Sequence, residues 1–144
     1  VIVTPKTSEQ HEKMLQLLSE GAGIMPSLEL TMIGWVRDDK LVMVVGLDSV
    51  VGKTCRIHVS MAEGFNHTPK AMLQAVFDFA FNEEGHAMLV GIVNSKNEKA
   101  MRYDLHLGFI EHTRLPEMHD NGGDIVVLTM TREQCRYLNM KEAA

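Results

Sequence analysis

Asn97-Glu98-Lys99-Ala100-Met101-Arg102-Tyr103-Asp104-Leu105-His106-Leu107-Gly108-Phe109 follows the apolar run Ala87-Met88-Leu89-Val90-Gly91-Ile92-Val93. The run is short and bounded by polar residues, which predicts a strand. Ser95-Lys96-Asn97-Glu98 has the Ser-x-x-Glu form of a capping box, so a helix should open there, run to about Leu107 and stop at Gly108. Upstream, Met72, Leu73, Val76, Phe77, Ala80 and Phe81 recur at helical spacing as far as Gly85, with Thr68 as the expected N-cap and Pro69 at the first helical position. Before that helix, Thr54 to Met61 alternates Cys55, Ile57, Val59 and Met61 against Arg56, His58 and Ser60, which predicts a strand with one polar face free to line a cleft. Strand, helix and strand in this order predict a right-handed crossover between parallel strands.

Outward from this centre, Val1-Ile2-Val3-Thr4-Pro5 reads as a first strand. Ser8 to Glu20 reads as an amphipathic helix ending at Gly21-Ala22-Gly23. Met25 to Met32 is open between a short helix and a loop, with a loop containing a turn preferred. Ile33 to Arg37 and Leu41 to Gly46 predict a hairpin turning at Asp38-Asp39. Phe109 to Leu115 and Asp124 to Thr131 predict an antiparallel pair joined by the polar loop Pro116 to Gly123, and Arg132 to Ala144 a short terminal helix. The order β-α-β-β-β-α-β-α-β-β defines a mixed α/β (α+β) fold with helices on both faces of a central mixed sheet.

The 144 residues suit one domain spanning 1–144, and no window reaches the length of a membrane-spanning helix. The first residues carry no basic, apolar leader pattern, and a chain starting without Met is expected to be processed. The net charge of −5, with Lys and Arg scattered, argues against nucleic acid as a partner and for a cationic one. Cys55 and Cys135 have neither metal-ligand nor disulfide spacing, and His106, His112 and His119 lack ligand spacing, so no metal is expected and a reducing cytoplasm is the expected compartment. The 11 Met residues read as adaptable core filler.

Gly46-Leu47-Asp48-Ser49-Val50-Val51-Gly52-Lys53-Thr54 imitates a phosphate-binding loop and fails. Its glycines enclose five residues where four are needed, and Thr54 opens a strand in place of a helix. A better anion site is the helix start near Thr68, reached through Ala62-Glu63-Gly64-Phe65-Asn66-His67, because helix N-termini favour pyrophosphate.

The Asn97-to-Phe109 stretch resembles GNAT-superfamily N-acetyltransferases, in which an Asn-x-x-Ala helix ends in Leu-Gly-Phe. The stretches His58-Val59-Ser60-Met61, Gly108 to Arg114 and Met130 to Leu138 look like small acetyltransferase-like proteins of phages and prophages. The resemblance implies acetyl-coenzyme A as cosubstrate, held by Met61, Gly64, Phe65, Asn66, His67, Thr68, Lys70, Asn94, Asn97 and Tyr103. In this family the pyrophosphate loop usually carries glycines where this chain has His67 and Pro69. Many members place a Tyr to protonate the leaving thiolate; here that position is Asp104, and Tyr103 precedes it by one residue, about 100° around a helix.

The implied reaction is direct attack of a primary amine, on a small molecule or polypeptide, without a covalent enzyme intermediate. It needs a proton acceptor, an oxyanion site and a proton donor. The candidates are His58, Ser60 and Glu63 for the amine proton and Tyr103 or Asp104 for the thiolate, with strand backbone donors for the oxyanion where Thr54–Met61 splays from Ala87–Val93. Glu29, Glu117 and Asp120 are candidates for attracting the acceptor's ammonium group. Two other readings stand beside this one: a catalytically weak module that binds coenzyme A or a protein partner, and a homodimer using an apolar strand edge near the C-terminus.

Overall fold

In a computed structural model that describes residues 1–22 and 29–138, the elements follow the predicted order. They are β1 (Ile2–Val3), α1 (Ser8–Ala22), β2 (Thr31–Arg37), β3 (Lys40–Val51), β4 (Thr54–Met61), α2 (Lys70–Asp78), β5 (Met88–Asn94), α3 (Glu98–Leu107), β6 (Ile110–Leu115) and β7 (Ile125–Thr131). Seven strands form one sheet in the order β1-β2-β3-β4-β5-β7-β6. Among the described residues only β4 and β5 pair in parallel, and α2 makes the crossover between them.

That parallel pairing is short. Three rungs join the strands, Thr54 to Met88, Cys55 to Leu89 and Arg56 to Val90. Beyond them β4 stays paired with β3 as far as Met61, and β5 stays paired with β7 as far as Asn94. The sheet therefore opens into a V between Ile57–Met61 and Gly91–Asn94, leaving backbone groups on the facing edges without strand partners.

Alternation along the strands sends side chains to two cores. On one face Met43, Val45, Leu47, Cys55, Ile57 and Leu89 pack with Met72, Val76, Phe77 and Phe81 of the crossover. On the other face Val44 and Met32 pack with Met14 and Leu18 of α1. Helices thus cover both faces. Helix α1 lies close on β4: a Cβ on Gly21 would meet the Ser60 hydroxyl at 1.7 Å, so only glycine fits there.

The local chemistry of several ends differs from the sequence reading. Helix α2 begins at Lys70 with Pro69 as its N-cap at φ −63° and ψ 140°, and Thr68 does not cap it because its hydroxyl meets the Tyr103 hydroxyl at 2.8 Å. Helix α3 is capped by Asn97, whose Oδ1 accepts from the Ala100 N–H at 3.1 Å. Ser95 instead accepts from the Asp124 N–H at 2.8 Å, tying the start of α3 to β7. Gly108 ends α3 at φ 113°, as predicted. The crossover helix passes at Asp78 into a π-helical turn, Phe79–Glu83, closed by the Glu84 N–H on the Phe79 carbonyl. The turn buries both Ala80 and Phe81.

Asp38 and Asp39 make the predicted hairpin turn, both at positive φ. Residues 23–28, including half of the segment left open between helix and loop, lie outside the described residues, while Thr31 and Met32 belong to β2. The predicted terminal helix is absent over 132–138, which forms turns, and 139–144 lie outside the described residues. Cys135 and Tyr137 are both buried although two residues apart, a spacing that a helix would send about 200° apart. The Tyr137 ring stacks on Phe77 at 5.4 Å, and Arg132 donates to the Phe81 carbonyl and to Asn82 Oδ1. No described helix is long and apolar enough to cross a membrane.

Candidate active site

A cleft of about 990 Å³ occupies the V between β4 and β5. Because the gap interrupts the sheet, its lining comes from both faces. On the α2 and α3 side it has Ile57, Val59, Met61, Gly91, Asn97, Ala100, Tyr103 and Asp104; on the α1 side it has Glu20, Asp48, Ser49, Arg56, His58 and Ser60. The first lobe is mainly apolar and amide-bearing, the second is charged.

His58 is the centre of the charged lobe. Its Nε2 lies 2.8 Å from Asp48 Oδ1, and both side chains are buried, 8% and 4% exposed. A carboxylate only accepts, so Nε2 carries the proton; in the neutral imidazole the lone pair then lies on Nδ1, which has no partner among the described residues. Asp48 reaches this position because β3 continues past Gly46 and Leu47, and a bulge follows at once, with Ser49 at φ 51°. Bulges re-aim side chains beside functional sites. Ser60, two residues along the same face, donates its hydroxyl to the Leu17 carbonyl at 2.8 Å and so anchors α1.

On the opposite lobe, α3 runs along the cleft from its cap Asn97 through Ala100 to Tyr103 and Asp104, and the last two both line it despite being 100° apart. Burial pushes the Asp104 carboxyl up to about 7 and the Tyr103 hydroxyl up to about 12. Asp104 therefore holds a transferable proton near neutrality, which an ordinary carboxylate does not. With Oδ1 used in the cap, Asn97 keeps its amide NH₂ as a donor. Gly91 faces open space: a Cβ there would meet no atom within 4 Å.

Of the residues singled out in the sequence, His58, Ser60, Tyr103, Asp104, Met61, Asn66, Asn94 and Asn97 line the cleft. Glu63, Gly64, Phe65, His67, Thr68 and Lys70 do not. Glu63 is exposed beyond β4, Phe65 is buried in the core, and Thr68 acts through Tyr103. Glu29, Glu117 and Asp120 are exposed and outside the lining, where the structure places Glu20 and His119. Asp48 and Arg56 were missed. Arg56 stood in plain alternation with His58 and Ser60, whereas Asp48 lay in a stretch that reads as a glycine-bounded loop.

No protein-family model matches the sequence, and no curated protein matches it. Solved structures do. The chain is similar to a point mutant of the spermidine N-acetyltransferase SpeG from Vibrio cholerae, with 15% identity, a TM-score of 0.74 and coverage of 98% of this chain and 99% of that one. It is also similar to an IAA acetyltransferase from Bacillus cereus ATCC 14579, with 14% identity, a TM-score of 0.71 and coverage of 91% and 98%. A protein described as a probable acetyltransferase shares 19% identity at a TM-score of 0.63; the match covers 74% of this chain but only 64% of that one. At these identities the shared property is the fold, which is that of GNAT-type acetyltransferases.

Proposed function

We propose that this protein moves an acetyl group from acetyl-coenzyme A to a primary amine. The observation that carries the proposal is the V between β4 and β5, which joins a neutral lobe to a charged lobe at His58. The neutral lobe suits the amide-bearing arm of the coenzyme. Asn97 offers an amide donor, Gly91 leaves room for a close approach, and the free edges of β4 and β5 offer main-chain groups. Acetyl-coenzyme A supplies the activated acyl group.

The charged lobe receives the amine. His58 Nδ1 takes its proton as the C–N bond forms, while Asp48 holds the imidazole in the required tautomer. Unpaired N–H groups of β4 stabilise the developing oxyanion. Asp104 supplies a proton to the sulfur as the C–S bond breaks, its acidity matched to neutral pH. Tyr103 positions this wall through its bond to Thr68. Direct attack is favoured over a covalent intermediate because burial pushes the thiol of Cys55 up to about 11 and raises that of Cys135 as well, which leaves both as protonated, poor nucleophiles. Two free, buried cysteines also suit a reducing, cytoplasmic setting. The phage-related setting rests on sequence resemblance alone.

Thiol release from acetyl-coenzyme A across a broad panel of primary amines tests the proposal, with amine-dependent turnover as the expected result. Saturable coenzyme binding with no turnover on any amine would favour the binding-module reading instead. A homodimer has one specific support: β6 is an exposed sheet edge carrying Ile110 and Leu115, with Met118 beyond it.

A further inference from the structure

Arg56 has no role in the reaction as described, and its surroundings are unusual. It sits at the closed end of the V, on the last rung joining β4 to β5. Its Nε is shut off from solvent and has no hydrogen-bond partner among the described residues. Among the described residues its guanidinium makes no ion pair either, although Asp48 is its direct cross-strand neighbour, because the Asp48 carboxylate is engaged by His58. A buried, unpartnered donor is a cost that native proteins rarely carry without a use. The side chain lines the same charged lobe as His58. The two residues are two apart on one strand face, roughly 6–7 Å, so one small molecule can reach both.

We infer that the acceptor carries a compact oxyanion, in the first instance a carboxylate, close to its amine: Arg56 binds the oxyanion while His58 faces the amine. The inference rests on the acetyl-transfer reading and names its substrate class. Guanidinium and carboxylate match as a planar fork, which fixes orientation as well as charge. The anion on Arg56 thereby aims the amine out of the charged lobe toward the facing strand edges. A purely cationic polyamine has nothing to offer this position and meets a like charge there.

The test is kinetic and uses matched acceptors: amino acids and short aminoalkyl carboxylates, their amides, aminoalkyl phosphonates, and spermidine. Acetyl-coenzyme A binding is measured separately by calorimetry. Wild-type protein should prefer the carboxylates over their amides by about 10- to 100-fold in kcat/KM, the range of a charge-assisted hydrogen-bonded pair. Equal or better activity on phosphonates would identify phosphorus oxyanions as the preferred form of the same chemistry. Arg56→Met should erase the preference mainly through KM, leave amide turnover and coenzyme affinity within about threefold, and melt at or above the wild-type temperature, since it removes an unpaired donor. Preference for spermidine or for the amides, an equal loss on both acceptor classes, or a clearly lowered Tm would overturn the inference while leaving acetyl transfer intact. Absence of coenzyme binding would instead overturn the underlying reading, and this one with it.

Discussion

Replacing His58 with glutamine is expected to lower kcat by about 10²- to 10⁴-fold, the usual contribution of a positioned general base, with coenzyme affinity unchanged. Glutamine keeps a side-chain donor within reach of Asp48, so the buried carboxylate is not orphaned. That choice separates chemistry from folding. Asp48→Asn should produce a smaller loss, because asparagine can also accept from Nε2 but no longer stabilises the imidazolium formed on proton transfer. Steady-state kinetics together with thermal melts check both. Unchanged kcat in His58→Gln would remove His58 as the base and leave its pair with Asp48 a structural contact.

Asp104→Asn is expected to act on stability and catalysis in opposite directions. The folded protein holds this carboxyl at about 7 against an ordinary value of 3.8, so between those values the native state keeps a proton that the unfolded chain has lost. Stability from this group is complete below about 4 and is lost as pH rises through 7. The three-unit difference corresponds to about 4 kcal/mol at full ionisation, an order-of-magnitude figure. Asparagine cannot ionise. The stability of Asp104→Asn relative to wild type should therefore grow by about 2 to 4 kcal/mol between pH 5 and pH 8.5, read from denaturant melts at each pH. The same variant should turn over more slowly near pH 6, where wild-type Asp104 is protonated, and the deficit should shrink above pH 8. A pH-independent stability difference would show that the carboxyl titrates normally.

The fold was legible because its signals are local. The alternation over Thr54–Met61, the helical period from Met72 to Phe81 and the glycine stop at Gly108 each follow from side-chain geometry along one element. The errors lay where a distant partner decides. Ser95 and Thr68 both look like caps, yet their hydroxyls are spent on Asp124 and Tyr103, 29 and 35 residues away. The absence of the expected helix over 132–138 has the same cause: Phe77 and the crossover's end capture Tyr137 and Arg132.

The site divides in the same way. His58 and Asn97 could be named from spacing and resemblance. Asp48 could not, because Gly46 suggested the end of β3. In the fold Gly46 is a strand residue whose missing Cβ admits Leu18 of α1, at 2.5 Å from where that Cβ would stand. The strand therefore continues and delivers Asp48 to His58. The raised acidity of Asp104 was equally hidden, since burial is a property of the packed wall and not of the helix that carries it.

The central claim is that the V between β4 and β5 is the coenzyme site. Gly91 tests it directly, because it lines the cleft and a Cβ there meets no atom within 4 Å. Calorimetric titration of acetyl-coenzyme A into wild type and Gly91→Leu, with melts of both, is the measurement. Saturable binding by wild type and its loss in a variant of undiminished Tm is the predicted result; equal binding by the two proteins would contradict the account.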